Sequence, residues 1–243
     1  MPDYILPFTL ARSPKVLPML STLSISGACR LSDVGLRQLV SSAPAITSIN
    51  LNQCSLLTSS SIDMLSDSLG SVLRELYINE CQNIDMKHIL AALKKFEKLE
   101  VLSLADLPSV KGRFLKEFVT ARGQTLKQLI LTNSRDEAVA AFVETAGGSL
   151  KELSLNNVKK VGHNTALALA KHSDKLQILD ISWCREMSND LLGYIVDNSS
   201  SLKVLKVFGC SQVTDVFVKG HSNPNVKILG VKMDPFLGHL SDN

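Results

Sequence analysis

The chain is poor in aromatic residues and in long apolar runs. Phe, Trp and Tyr make up 5% of its 243 residues, and Trp183 is the one tryptophan. No apolar run approaches the roughly 20 residues that a membrane-spanning helix needs. The opening residues, MPDYILPFTLARSPK, are unlike a signal peptide, because Asp3 comes early and Pro7 interrupts the apolar run. We therefore expect a soluble intracellular protein of the nucleus and/or cytoplasm, with reduced thiols and no membrane partner.

The motifs of common catalytic, metal and cofactor sites are also missing. The five cysteines are never spaced as C-x-x-C, the pairing typical of zinc sites, and no histidine has a second histidine four residues away. Neither a G-x-S-x-G, a G-x-G-x-x-G nor a P-loop string occurs. A net charge of +3 is too small to indicate binding to nucleic acid or to an anionic membrane. The sequence therefore predicts a protein that is not an enzyme and has no metal or cofactor.

What the chain does contain is a repeat. In "ITSINLNQC", Ile46 to Cys54, we number the positions from 0, so that apolar residues occupy positions 0, 3 and 5 and cysteine occupies position 8. The same frame recurs in "LRELYINEC", "LQILDISWC" and "LKVLKVFGC", and with looser ends elsewhere. Nine copies start near residues 20, 46, 73, 99, 126, 150, 176, 202 and 226. This pattern and period are those of leucine-rich repeats.

Each copy predicts one strand and one helix. Positions 3 and 5 alternate with polar residues, as in a strand with one buried face, and a second apolar set at helical spacing follows. Stacked copies bury what one copy cannot. We therefore predict an α/β leucine-rich-repeat solenoid, or horseshoe, of about nine repeats over residues 20–243, with parallel strands on the concave face and helices on the convex face. Residues 1–19 are predicted to be a partial repeat or flanking segment, the pattern of a fragment or short isoform of a longer protein.

The cysteines are predicted to be structural. Cys29, Cys54, Cys81, Cys184 and Cys210 all fall at the same place in the repeat, Cys29 after one extra residue. A recurring residue is not a unique nucleophile. We expect small buried side chains whose S–H groups donate to backbone carbonyls.

If positions 3 and 5 point inward, positions 2, 4, 6 and 7 should reach the concave face or its rim. Five of the charged residues there are acidic and two are basic, which does not favour a phosphate-binding groove: Glu75, Glu80, Asp106, Glu152 and Asp180 against Lys206 and Lys232. Trp183 and Phe208 should be neighbours on adjacent repeats, either as a protein-binding hot spot or, for Trp183, as cover for the edge of the cysteine layer. The candidate partner-binding residues are Asn50, Asn52, Tyr77, Asn79, Asn156, Asp180, Trp183, Lys206 and Phe208.

The stretches "CRLSDVGLRQLV", "CSLLTSSSIDML" and "CSQVTDVFV" resemble the cysteine-containing leucine-rich repeats of F-box/leucine-rich-repeat proteins, the substrate receptors of cullin-based ubiquitin ligases. The whole run is similar to the leucine-rich-repeat subunit of the nucleotide-excision-repair damage-recognition ligase of fungi and its plant relatives. The resemblance implies a protein-interaction scaffold that holds a protein partner or ubiquitination substrate, with a cullin-ligase adaptor or repair factors as further partners. Two alternatives stay open: a repair subunit that binds damaged DNA, and a stand-alone repeat adaptor without a ligase. Because the repeats start by Leu20, we expect the N-terminal F-box module of the family to be missing from this sequence, which does not favour ligase recruitment by these residues alone.

Overall fold

The computed structural model describes residues 16–107, 112–122, 125–132 and 135–230. The chain forms two compact units, Met1–Ile130 and Leu131–Asn243. Each unit repeats a short strand and a helix, so the predicted α/β leucine-rich-repeat class is confirmed in both. The predicted partial repeat falls largely on residues 1–15, which lie outside the described residues, and the domain boundaries stay a prediction.

The first unit contains parallel strands that follow one another in chain order. Its described elements are β1 (Thr22–Ser24), α1 (Asp33–Ser42), β2 (Ser48–Asn50), α2 (Ser59–Leu69), β3 (Glu75–Tyr77), α3 (Met86–Lys95), β4 (Val101–Ser103), α4 (Gly112–Arg122) and β5 (Gln128–Ile130). The register places position 3 of each repeat opposite position 3 of the next, as for Leu23, Ile49 and Leu76. The predicted repeat frame is therefore the frame of the sheet.

The second unit follows the same plan. Its described elements are α5 (Asp136–Ala146), β6 (Glu152–Ser154), α6 (His163–His172), β7 (Ile178–Asp180), α7 (Asn189–Asn198), β8 (Val204–Lys206), α8 (Asp215–Gly220) and β9 (Lys227–Leu229). Leu153, Leu179 and Leu205 are in register across β6, β7 and β8. None of the helices in the described ranges has the length and apolar character needed to cross a membrane.

The core consists of the predicted apolar positions. In the repeat from Ile46, the side chains of Ile46, Ile49 and Leu51 are fully buried, and Ile62 and Leu65 of α2 are buried with them. Full burial of one such aliphatic side chain contributes about 1.5–3 kcal/mol. Because every repeat supplies several of these side chains, the strands are held as a rigid base for the polar residues on their other face.

The backbone ladder continues past the strands into the following turn. The N–H at position 5 donates to the carbonyl at position 4 of the next repeat, and the N–H at position 7 donates to the carbonyl at position 6. Where the structure describes it, the residue at position 7 has positive φ, including the non-glycine residues Gln53, Glu80, Asp106, Asn157 and Trp183. A left-handed backbone costs a non-glycine residue roughly 1–2 kcal/mol. The turn therefore reverses the chain at a fixed place, and it changes where the side chains at positions 6 and 7 point.

Two repeats depart from the predicted frame by one residue. The turn after β1 uses Ala28 at position 8, because the Ala28 N–H donates to the Ile25 carbonyl as the Cys54 N–H does to Leu51. Cys29 is therefore displaced from the cysteine position and is exposed, which corrects the prediction that all five are buried. In the last repeat, Ile228 pairs with Leu205 and Leu229 with Lys206, so Leu229 lies at position 4 instead of position 3.

Helix N-termini are capped in two ways. Thr58 and Ser188 cap their own helices, because their hydroxyl oxygens accept the backbone N–H groups of Ser60 and Leu191. The first residue of one helix also caps the helix of the next repeat: the Asp33 carboxylate accepts the backbone N–H of Thr58 at 3.0 Å, and the Asn189 side chain accepts that of Thr214 at 2.9 Å. These caps join neighbouring repeats on the helical side.

Asp136 makes the most extensive of these caps. Its carboxylate accepts the backbone N–H groups of Gly162, Asn164 and Thr165 at 2.9–3.0 Å, at the start of α6. Burial alone would raise the pKa of Asp136, but hydrogen bonds with the Thr165 side chain and with these backbone N–H groups hold the pKa below its usual value.

Candidate functional site

The predicted strand-face residues of the first unit lie where the repeat frame places them. Asn50 and Tyr77 are at position 4 of β2 and β3, opposite each other in register and half-buried. The Tyr77 hydroxyl donates to Glu75 Oε2 at 3.4 Å, and the Ser48 hydroxyl donates to the same oxygen at 2.8 Å. The carboxylate of Glu75 is therefore engaged by its neighbours, and this part of the face is a polar, hydrogen-bonded surface.

Asn52 and Asn79, at position 6, have a structural task that the sequence did not reveal. The Asn52 side-chain oxygen accepts the backbone N–H of Asn79 at 2.8 Å. The Asn79 oxygen accepts the backbone N–H of Ala105 at 2.8 Å and the Ser103 hydroxyl at 2.6 Å. The two oxygens thus bridge successive repeats. Partner contact by these asparagines stays a prediction.

The second unit carries the other predicted residues on β6 to β8 and the turns after them. Asn156 is half-buried at position 6 after β6. Asp180 and Lys206 face each other in register at position 4 of β7 and β8, with Lys206 Nζ 3.8 Å from Asp180 Oδ2. Asp180 Oδ1 also accepts the backbone N–H of Ser182 at 3.0 Å. The pair leaves this part of the strand face without net charge.

Trp183 and Phe208 are neighbours through the backbone, since the Trp183 N–H donates to the Phe208 carbonyl at 2.7 Å. The rings do not stack on each other: the ring contacts among the described residues join Phe114 to Phe118 and Phe217 to His221. Trp183 is 54% exposed and Phe208 is 49% exposed. One side of the indole covers the backbone of Gly209, the residue before Cys210, and the rest of it faces solvent. We call Trp183, Phe208, Asp180 and Lys206 together the aromatic surface.

The buried cysteines are confirmed as structural. The thiols of Cys81, Cys184 and Cys210 donate to position-5 carbonyls of the preceding repeat at 3.1 Å, and Cys54 does so at 3.4 Å. Burial raises the pKa of Cys81 to about 11 and that of Cys184 to about 12. A thiol with so high a pKa stays protonated at neutral pH and is a poor nucleophile. Within the described ranges, no three His, Cys, Asp or Glu side chains are grouped to hold a metal ion.

Sequence reasoning missed the caps between repeats and the asparagine bridges. The caps have a visible signal, the Asp or Asn that follows "LS", "SR" or "MS" at the start of helices α1, α5 and α7. One repeat considered alone does not show that these side chains reach the helix of the next repeat.

Comparison with known proteins gives relatives of the same repeat class. No family model matches the chain. It is 28% identical over 181 residues to DNA repair protein RAD7 of Saccharomyces cerevisiae, an alignment that covers 70% of this chain and 31% of that protein. The chain thus spans about a third of the length of this curated relative.

Two solved structures show the same fold at low sequence identity. The leucine-rich-repeat protein LegL7 of Legionella pneumophila has a TM-score of 0.57 at 16% identity, covering 84% of this chain and 70% of that one. The TLR13–ssRNA13 complex has a TM-score of 0.56 at 19% identity, covering 87% of this chain and 32% of that one. The yeast Rad7 and Elc1 complex has a TM-score of 0.47 at 15% identity, covering 88% of this chain and 75% of that one. The chain is a leucine-rich-repeat protein that resembles DNA repair protein RAD7.

Proposed function

We propose that the chain is a non-enzymatic protein-binding scaffold, the substrate-recognition part of a cullin-type ubiquitin ligase that serves nucleotide-excision DNA repair in the nucleus. The similarity to DNA repair protein RAD7 supports the repair branch of this proposal. The resemblance of the cysteine-containing repeats to those of F-box/leucine-rich-repeat proteins supports the ligase branch. Both branches require a surface on the repeats that binds a protein.

The aromatic surface is the observation that carries the proposal. Trp183 and Phe208 expose about half of their area on a base of fully buried leucines, so a partner would meet a surface that is already ordered. Large aromatic side chains on a rigid scaffold are common hot spots of protein interfaces. The Asp180–Lys206 pair beside them provides polar groups for orientation without a strong field of either sign.

Direct binding to DNA is the second candidate, because RAD7 is named a DNA repair protein. The charges of the strand face do not favour it. The strands of the first unit present Glu75 there, and those of the second present Glu152, the neutralised Asp180–Lys206 pair and, in the register of β9, the exposed Lys227, so these strands carry no excess of basic side chains. Lys232, the other basic residue predicted for this face, lies outside the described residues. Phosphate binding draws its free energy from basic side chains that release counterions.

Affinity purification from cells tests the protein-binding proposal. We expect the wild-type chain to recover a cullin, a ligase adaptor or repair proteins, and the double variant Trp183→Ala, Phe208→Ala to lose at least about tenfold of that recovery, as for removal of a hot spot. Val216→Ala is the matched control, because Val216 is an apolar side chain of the second unit that is 68% exposed but lies on α8. Recovery of none of these components by the wild type would contradict the ligase and repair assignment.

The DNA alternative has its own test, the dependence of binding on salt. We expect binding of the chain to duplex DNA to be weak and to change little between low and physiological salt. Tight binding that falls steeply with salt would show that basic residues contact phosphates. It would favour the damaged-DNA-binding alternative over the protein scaffold.

A further inference from the structure

The indole of Trp183 lies directly on the backbone of the next repeat. A Cβ atom added to Gly209 would be 2.5 Å from both Cδ2 and Cε3 of Trp183 and 2.8 Å from Cε2. These distances are shorter than any van der Waals contact between carbon atoms. The flat packing of the indole therefore depends on the absence of a side chain at Gly209.

Phe208 is placed in the same way, one repeat further on. A Cβ added to Gly230 would be 2.5 Å from Phe208 Cγ and 2.7 Å from Cδ1. Each aromatic ring of the aromatic surface thus rests on a glycine of the following repeat. The two glycines support rings at successive repeats, and about half of each aromatic residue stays open to solvent.

The backbone of Trp183 adds an independent observation. Its φ is +64°, the left-handed region that a bulky side chain rarely adopts. The equivalent position is glycine in two other repeats, Gly27 at +75° and Gly209 at +68°. The other non-glycine residues at this position share the left-handed backbone and are polar, so the exposed aromatic side chain, and not the φ angle, distinguishes Trp183: Gln53, Glu80, Asp106 and Asn157.

We propose that Gly209 is a positioning residue of the partner-binding site, which holds the indole of Trp183 flat so that its outward face stacks against an apolar side chain of the partner protein. This inference rests on the proposed function. Gly230 acts likewise on Phe208. Because the indole ring is held in place before the partner binds, binding does not pay the entropy of ordering this side chain. The affinity therefore depends on Gly209, which positions the ring, as well as on the indole itself.

The experiment compares Gly209→Ala with Gly27→Ala. Both glycines occupy position 7 with similar φ, but a Cβ added to Gly27 meets nothing within 4 Å. The two variants should therefore share the cost of a left-handed alanine, and only Gly209→Ala should displace the indole. Gly230→Ala is less useful, because its Cβ would also lie 2.6 Å from the backbone nitrogen of Phe208.

Two readouts are measured on the full chain. The first is the fluorescence of the one tryptophan, by emission maximum and by acrylamide quenching. The second is the recovery of the partner that wild-type affinity purification identifies. For Gly209→Ala we expect red-shifted emission, stronger quenching and about a tenfold loss of recovered partner. For Gly27→Ala we expect wild-type fluorescence and wild-type recovery, with a similar decrease in thermal stability.

The outcomes separate this inference from the proposed function. Unchanged fluorescence in Gly209→Ala would show that Gly209 does not position the indole of Trp183. Changed fluorescence with full partner recovery would show that this positioning does not contribute to binding. Equal loss of partner recovery in Gly209→Ala and Gly27→Ala would mean that backbone strain, and not displacement of the indole, is responsible. If the wild type recovers no partner, the proposed function fails, and so does the role of Gly209 in binding. The fluorescence difference between the two variants still decides whether Gly209 positions the indole.

Discussion

Asp136 offers a sharp test of how neighbouring repeats are joined on the helical side of the second unit. The variant Asp136→Ala removes the acceptor for three backbone N–H groups at the start of α6. Loss of one N-cap costs about 0.5–2 kcal/mol, and hydrogen bonds to a charged group contribute more than neutral ones. Because water can reach part of this helix end, we expect a loss of about 2 kcal/mol in the free energy of unfolding at pH 7.

The effect should depend on pH with a defined sign. The folded-state pKa of Asp136 is held below its usual value, so its stabilising contribution is present above the unfolded-state pKa, near 4. That contribution is lost as the pH falls through the still lower folded-state pKa. The difference between wild type and Asp136→Ala should therefore be largest at neutral pH and shrink below about pH 4.

Urea denaturation followed by circular dichroism at several pH values measures both effects. Glu137→Ala is the matched control, because Glu137 is exposed in the same first turn of α5 and shares its interaction with that helix dipole. We expect Glu137→Ala to change the free energy of unfolding by less than about 0.5 kcal/mol. Equal losses in the two variants, or a loss in Asp136→Ala that does not vary with pH, would refute the cap between repeats.

Three further outcomes follow from single residues. Trp183→Gly should be more stable than Trp183→Ala by about 1 kcal/mol in urea denaturation, because φ at Trp183 is positive, and the reverse order would contradict the strain. Cys184→Ala should cost about 1–2 kcal/mol while Cys29→Ala costs almost nothing, and a thiol reagent followed by mass spectrometry should label Cys29 long before Cys184. Asn79→Ala should cost about 2 kcal/mol, because its oxygen accepts two hydrogen bonds, and a neutral result would show that the bridge between repeats contributes little.

The sequence predicts the fold well because the apolar positions of the repeat indicate which side chains are buried. Positions 0, 3 and 5 are buried in the sheet, as Ile46, Ile49 and Leu51 show, and the alternation within a strand allows no other arrangement. The cysteine position was predicted by the same argument. Where a repeat has one residue more or fewer, as at Cys29 and in β9, the frame alone fails. The hydrogen bonds of the turn then decide which residue is buried.

The candidate surface was predicted less completely because the strand ends at position 4. The extension of the outward face to positions 6 and 7 assumed a continuing strand, but the chain turns there with positive φ. As a result, Asn52 and Asn79 turn their oxygens toward the neighbouring backbone, whereas Trp183 lies over Gly209. Glycine 209 was not recognised as part of the surface, since its role appears only once two repeats are stacked.

The side chains at position 6 beside the aromatic surface differ from Asn52 and Asn79, which occupy position 6 in the first unit. In the first unit, the side-chain oxygens of Asn52 and Asn79 accept backbone hydrogen bonds from the next repeat. In the second unit, the same position holds Asn156 after β6, but after β7 and β8 it holds Ser182, whose buried hydroxyl has no hydrogen-bond partner among the described residues, and Phe208, which has no polar atom in its side chain. Ser182 and Phe208 form no side-chain bridge of the kind seen in the first unit, and the ring of Phe208 is exposed. Position 7 has a left-handed backbone in the described repeats, and its other non-glycine residues are polar, so the turn itself does not require the indole of Trp183. An exposed aromatic side chain that the fold does not require favours the protein-binding proposal.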